Sequence, residues 1–271
     1  MENKKIVITG GSRGIGRALA LKFAAQGAHV AILAKTVDPH PKLEGTILTV
    51  AEEMINLGGH AYPMQLDVRD DASIPGVIDR VAEMMEGIDI LINNASAISL
   101  TNTEQTTAKR FDLMFDVNVR GTYLVTQACL PYLKKGDNPH ILTLSPPLNM
   151  DPKWFGVHVA YTLSKYNMSM LTMGWAEEFK EYGIAANALW PKTLIATAAI
   201  ENLPGGDQLI KMARKPAIMA DAAQIVLNKN SKEYTGNFAI DEEILKASGI
   251  MDFTKYNSVE GIEPMNDLFI D

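Results

Sequence analysis

Thr9-Gly10-Gly11-Ser12-Arg13-Gly14-Ile15-Gly16, residues 9–16, stands between a β-branched run, Lys5 to Thr9, and an amphipathic stretch, Gly14 to Gln26. In the second of these Ile15, Ala18, Leu19 and Phe23 recur at a helical period. A strand that enters a glycine-rich turn and leaves it as a helix opens a βαβ unit. The glycines permit the tight turn and let backbone N–H groups approach a pyrophosphate, to which the helix N-terminus adds partial positive charge. By itself such a turn is weak evidence; its place at the head of an alternating chain is what gives it weight.

Working outward, strands are expected at 28–33, 60–66, 88–92, 140–145, 185–189 and 237–240. Helices are expected at 46–57, 71–85, 108–134 and 159–181. This alternation predicts an α/β fold, a parallel sheet covered by helices on both faces. The Pro-rich stretch 146–157 reads as an irregular loop, and 191–216, with Pro204-Gly205-Gly206, as a mobile substrate-side loop with short helices. No repeat or linker interrupts the pattern, so 1–271 is expected to be a single domain.

At 47% hydrophobic and 21% charged, the chain can bury a substantial core. A net charge of −7 gives no electrostatic footprint for nucleic acid. Lys4 and Lys5 lead straight into the first strand, which leaves no room for a secretory h-region, and no apolar run approaches the roughly 20 residues of a membrane span. Leu268-Phe269-Ile270-Asp271 is no retention or peroxisomal signal, and a cytoplasmic location is expected. Cys129, the single cysteine, lies in an apolar stretch and is expected to be buried and inert. Asp38-Pro39-His40-Pro41-Lys42 reads as an extended surface turn, and with no histidine at zinc-ligand spacing, no metal is expected.

Gly10, Ser12, Arg13, Gly14, Ile15 and Gly16 therefore form a candidate dinucleotide cradle. An NAD site wants an acid at the tip of the second strand to accept from the ribose 2′-OH. Here that tip reads Leu33-Ala34-Lys35-Thr36. Lys35, the Thr36 hydroxyl and Arg13 suit a 2′-phosphate, so NADP(H) is favoured over NAD(H). The alternative is that both cations are solvated surface charges, with Asp38 close enough to serve an NAD site. Asp67 and Val68 follow the third strand, where Asp67 can accept from an adenine amine, cap the next turn, or do both. Asn93-Asn94-Ala95-Ser96 follows the fourth strand at the edge where open α/β sheets bind ligands. Asn93 suits a structural tie; Asn94 and Ala95 suit cofactor contact.

Tyr161 and Lys165 lie four apart on a predicted helix and share a face. A neighbouring ammonium favours phenolate, lowering a phenol's ordinary value of about 10 toward the working range. Lys165 can also reach a nicotinamide ribose. Such pairs are common on surfaces, and the weight comes from Ser145, at the end of the preceding strand, which can donate to a carbonyl oxygen as charge builds on it. Asn118, a polar residue between Val117 and Val119, can hold a water that links Lys165 to solvent. A helix kink or a buried amide bond also accounts for it.

The cradle, the NNAS segment, Asn118, Ser145 and the Tyr161/Lys165 pair occur in the order of the short-chain dehydrogenase/reductase family, which the chain resembles to the segment 236–241. The resemblance implies a Rossmann-type doubly wound sheet of strand order 3-2-1-4-5-6-7 and a homodimer or homotetramer. It also implies a catalytic set of Asn118, Ser145, Tyr161 and Lys165. Cofactor contacts would come from Tyr161 and Lys165, and from Pro191, Thr193 and Thr197 in the loop after the sixth strand.

Two departures mark a narrower branch. Ser145 and Tyr161 are 16 positions apart, a few more than usual, across a Pro-rich insert, and the family's Pro-Gly is Pro191-Lys192 here. Ile98, Pro147, Leu148, Trp154, Phe155, Leu194 and Ile195 form an apolar candidate pocket wall, which suits a hydrophobic ketone, aldehyde or secondary alcohol. The alternative reading of Trp154 and Phe155 is as plugs of the inserted loop. The expected activity is hydride transfer between NADP(H) and such a compound. The alternatives are a non-catalytic NADP(H)-binding sensor or scaffold, or another reaction of the superfamily such as enoyl reduction.

Overall fold

The computed structural model describes residues 1–39 and 44–271. Its chain alternates β1 (Lys5–Thr9), α1 (Gly14–Ala24), β2 (His29–Ala34), α2 (Ile47–Asn56), β3 (His60–Gln65), α3 (Ile74–Met85) and β4 (Ile90–Asn93). Then come α4 (Ala108–Phe115), a π-helical turn (Asp116–Gly121), α5 (Thr122–Leu133), β5 (His140–Thr143), α6 (Pro152–Gly156) and α7 (Val159–Glu178). The last part holds β6 (Ala185–Trp190), α8 (Ala198–Glu201), α9 (Gly206–Lys211), α10 (Ala217–Leu227), β7 (Phe238–Ile240) and α11 (Asp241–Ala247).

The strands form one sheet in the order β3-β2-β1-β4-β5-β6-β7, and all of its pairs are parallel. This is the Rossmann-type order implied by the resemblance. Buried on both faces, the central strands are nearly continuous apolar runs, and their side chains alternate between two cores. Ile6 and Ile8 of β1 pack on one side with Leu19 and Phe23 of α1 and with α2 and α10. Val7 faces the other way, into a core shared with α3, α5 and α7. Cys129 is fully buried in that second core, and burial pushes its thiol up.

Two local expectations are corrected, and two others are met in part. The stretch 146–157 contains a short helix, α6, started by Asp151, whose carboxylate accepts from the Lys153 N–H. The expected helix over 108–134 is broken by the π-helical turn that carries Asn118. The 191–216 region does hold short helices, α8 and α9, but α10 and α11 beyond it escape the sequence pattern. Of the expected surface turn at 38–42, Asp38 and Pro39 are exposed, and the rest lies outside the described residues. Among the described residues no helix is long and apolar enough to cross a membrane.

Strand order reverses between β1 and its two neighbours β2 and β4. The loops leaving these strands diverge there and open a crevice at their carboxyl ends. The site begins at that point.

Candidate active site

A cleft of about 410 Å³ opens over the carboxyl ends of β1, β2, β3 and β4. It brings together Gly10, Ser12, Arg13, Gly14, Ile15, Lys35, Thr36, Asp67, Val68, Asn94, Ala95 and Thr197, twelve of the residues expected at a dinucleotide. Gly10 turns with φ +68, and a Cβ there would lie 2.9 Å from the Cα of Ala95. Gly16 does not line the cleft; it sits beneath it, where a Cβ would overlap the Gly10 carbonyl. Asn94 braces the same turn, its Nδ2 donating to the carbonyls of Thr9 and Gly10 at 2.9 and 3.0 Å. Asn93 is the structural tie expected, donating to Thr126 Oγ1 at 3.0 Å.

The cations are arranged differently from the expectation. Arg13 donates to the carbonyls of Glu44 and Gly45 at 3.2 and 2.9 Å, clamping the loop that precedes α2. Lys35 is exposed on the cleft lining beside Thr36. Asp67 is held by Arg69, whose N–H and Nε donate to it at 3.1 and 3.0 Å, and this partner keeps its carboxyl below the ordinary range. Asp67 thus organises the turn after β3. Arg69 is a lining cation that the sequence reading missed, although its spacing of two from Asp67 was the available signal.

Asn118 is spent on structure. Its Oδ1 accepts from the Ala97 N–H at 2.7 Å, while its Nδ2 donates to the Ala97 carbonyl and to Ser164 Oγ, each at 2.9 Å. Ser164 Oγ donates in turn to the Tyr161 carbonyl at 2.8 Å. The side chain therefore ties the loop after β4 to the turn of α7 that carries Tyr161. Both the kink and the buried amide bond that the sequence left open are present. Both Nδ2 hydrogens are used in this way, while Oδ1 accepts a single bond among the described residues.

Ser145, Tyr161 and Lys165 converge where β5 ends against α7, and each is nearly inaccessible at 1, 5 and 2% exposure. Lys165 Nζ donates to the Leu144 carbonyl at 2.6 Å and stands 5.1 Å from the centre of the Trp190 ring. Ser145 Oγ and Thr193 Oγ1 are buried with no hydrogen-bond partner among the described residues. Burial pushes Lys165 down to about 7 and pushes the Tyr161 phenol up, with a smaller upward push from Asp267. The expected lowering of the phenol by the ammonium is not found; desolvation opposes either charge and governs both groups.

Ile98, Leu148, Trp154 and Phe155 share an apolar cluster with Tyr161, Tyr166, Trp190, Leu268 and Phe269. Pro147 and Leu194 are not among the residues of this cluster, and Ile195 packs instead in the α1-side core with Ile8 and Ile32. Pro191 and Thr193 do not line the cleft; Thr193 bridges Asn266. The contribution of residues 265–271 was missed; the apolar Leu268-Phe269-Ile270 was the signal available in the sequence.

The donors fit a nicotinamide dinucleotide: a turn that side chains would fill, a cleft rimmed by Lys35 and Arg69, and a buried hydroxyl left unpaired. The short chain dehydrogenase family model matches residues 4–205. A hydroxysteroid dehydrogenase-like protein 2 of Danio rerio, the branch to which the two departures point, is 54% identical over 98% of this chain and 63% of its own length. The chain thus spans a little under two thirds of such curated relatives. A short chain dehydrogenase from Mycobacterium thermoresistibile superposes with a TM-score of 0.94 at 49% identity, covering 100% of this chain and 96% of that one. One from Burkholderia cenocepacia, solved in complex with NADP, gives 0.75 at 27% identity over 88% of this chain and 96% of its own.

Proposed function

Because the chain belongs to the short-chain dehydrogenase family, a family of oxidoreductases that bind a nicotinamide cofactor, we propose that it transfers a hydride between NADP(H) and an apolar ketone or aldehyde, or the matching secondary alcohol. Tyr161 is the general acid/base. The observation that carries this reading is the unpartnered hydroxyl of Ser145, buried next to Leu144, whose carbonyl accepts from Lys165. A buried hydroxyl without a partner costs free energy, and a substrate oxygen that accepts from it relieves that cost.

The bound nicotinamide supplies or takes the hydride. Ser145 Oγ donates to the carbonyl oxygen and holds it where negative charge develops. The Tyr161 phenol, kept protonated by burial, donates its proton to that oxygen on reduction and recovers it on oxidation. Lys165 stays close to neutrality in its proton exchange and resupplies the phenol. Asn118 and Ser164 fix the turn that aims Tyr161. The apolar surroundings of the ring exclude water and suit a hydrophobic substrate.

Preference for the 2′-phosphate rests on Lys35, Thr36 and Arg69 at the rim and on the lack of an acid at the tip of β2. Arg13 contributes by holding the neighbouring loop. We assign residues 1–271 to one catalytic domain that works as a homo-oligomer, supported by the exposed Tyr123, Leu163, Met170 and Met173 on α5 and α7. The test is NADPH oxidation with a panel of apolar ketones and aldehydes. Tyr161→Phe is expected to lower turnover about 10²–10⁴-fold; unchanged turnover overturns the mechanism. Lys35→Ala is expected to abolish most of the NADPH-over-NADH preference in a binding titration, and equal affinities in the wild type overturn the cofactor assignment.

A further inference from the structure

Phe269 is 2% exposed and sits at the centre of an aromatic cage. Its ring centre lies 6.4 Å from that of Tyr161, in a stacked arrangement, and 5.8, 5.1 and 5.9 Å from those of Trp154, Tyr166 and Trp190. Its backbone is left-handed, with φ 71. That conformation is strained for a non-glycine residue and persists only where the surroundings impose it.

What imposes it comes from both places where the chain departs from its family's pattern. Lys192, which stands in the family's glycine position, donates from Nζ to the Asp271 carbonyl at 3.2 Å, and its own carbonyl accepts from the Asp267 N–H at 3.1 Å. Next to it Thr193 bridges Asn266, and the Leu194 N–H donates to Met265. The insert between Ser145 and Tyr161 supplies Trp154 to the cage. It also supplies Lys153 and Asn149, which hold the Asp271 carboxylate. Trp190 Nε1 donates to the Leu268 carbonyl at 2.9 Å and locks the middle of the segment. The longer loop, the lysine and residues 265–271 are therefore parts of one device.

We propose that Phe269 is the specificity-determining residue of the site: it forms the substrate-side cap over Tyr161 and limits the bulk of the carbonyl compound that reaches the phenol. This rests on the hydride-transfer reading for its chemistry but not for its geometry. With both rings buried against each other, a fused bicyclic ketone requires the segment to yield further than a small one does.

The experiment compares wild type with Phe269→Leu and Phe269→Ala in the full chain, using 2-butanone, cyclohexanone and 2-decalone. Turnover is followed by NADPH oxidation. Binding of 2-decalone in excess NADP⁺ is followed separately by the fluorescence of Trp154 and Trp190, which needs no reaction. The ratio of kcat/KM for 2-decalone to that for 2-butanone is expected to rise tenfold or more in Phe269→Ala and by less in Phe269→Leu. The dissociation constant for 2-decalone is expected to fall by a similar factor. Ratios and affinities that stay within twofold across the three proteins overturn the cap. If no ketone is reduced by any of them while 2-decalone binding tightens in the graded order, the cap stands and the hydride-transfer reading falls. If binding is also unchanged, both fall.

Discussion

Ser145 and Cys129 are both buried and both without a hydrogen-bonding role in the fold, yet they predict opposite experiments. Removing the Ser145 hydroxyl takes away a group that has no partner among the described residues, so the fold loses no bond. Ser145→Ala is expected to melt at or above the wild-type temperature in calorimetry while kcat/KM drops about 10²-fold. A parallel loss of stability would place the hydroxyl in the fold instead. Cys129 lies in a dry core with its thiol pushed up, and is expected to react with a disulfide reagent only after denaturant unfolds the chain. The four-residue spacing of Tyr161 and Lys165 was legible because helical geometry alone aligns them. The direction in which their pKa values move was not. It depends on burial by segments distant in sequence, Trp190 and Phe269 among them, and on Asp267, whose charge pushes both groups up.

The π-helical turn at 116–121 shows how an element can be right in type and wrong in detail. A hydrophobic period detects one helical region over 108–134 but does not register a widened turn within it, because the apolar stripe shifts by only one position. The visible trace was Asn118, an amide among valines. Asn118→Ala strands the Ala97 N–H and the Ala97 carbonyl, at about 1–3 kcal/mol for each group left unsatisfied, and removes the donor to Ser164 Oγ, which keeps its own bond to the Tyr161 carbonyl. Its melting temperature is expected to fall by several degrees, and turnover to fall with it because Tyr161 loses its brace; an unchanged melting curve would remove the structural role. Helix α10 was illegible for another reason. It buries Ile218, Met219, Ala220, Ala222, Ala223, Val226 and Leu227, which leaves too narrow a polar face for a period to stand out. The segment 265–271 is too short for any period, and its contacts are all long-range.

At the scale of the molecule, the sheet was legible because each βα pair announces itself locally, whereas the order of the strands came from resemblance rather than from spacing. Two predictions belong to the whole chain. Asp241 is fully buried beside Asp267, Glu242 and Arg214, and burial pushes it up to about 6 from an ordinary 3.8. Between those values the native state holds a proton that the unfolded chain has released. This contribution to stability is present below about pH 4 and is lost as pH rises through about 6. Asp241→Asn keeps the group neutral, so its melting temperature relative to wild type is expected to be higher at pH 8 than at pH 4.5, by about 2–4 °C per kcal/mol. A difference independent of pH would show that Asp241 titrates normally. The exposed methionines of α7 yield the second: Met173→Glu is expected to reduce the mass measured by light scattering to that of one chain, and a wild type already at 29.6 kDa would remove the oligomer. The buried sulfur of Cys129 has a practical consequence as well. A chain whose one thiol is sealed is a blank background for bioconjugation. Lys232→Cys, exposed in the turn before β7 on the face opposite the cleft, would give a single handle for tethering the protein to an electrode with its chemistry facing the solution.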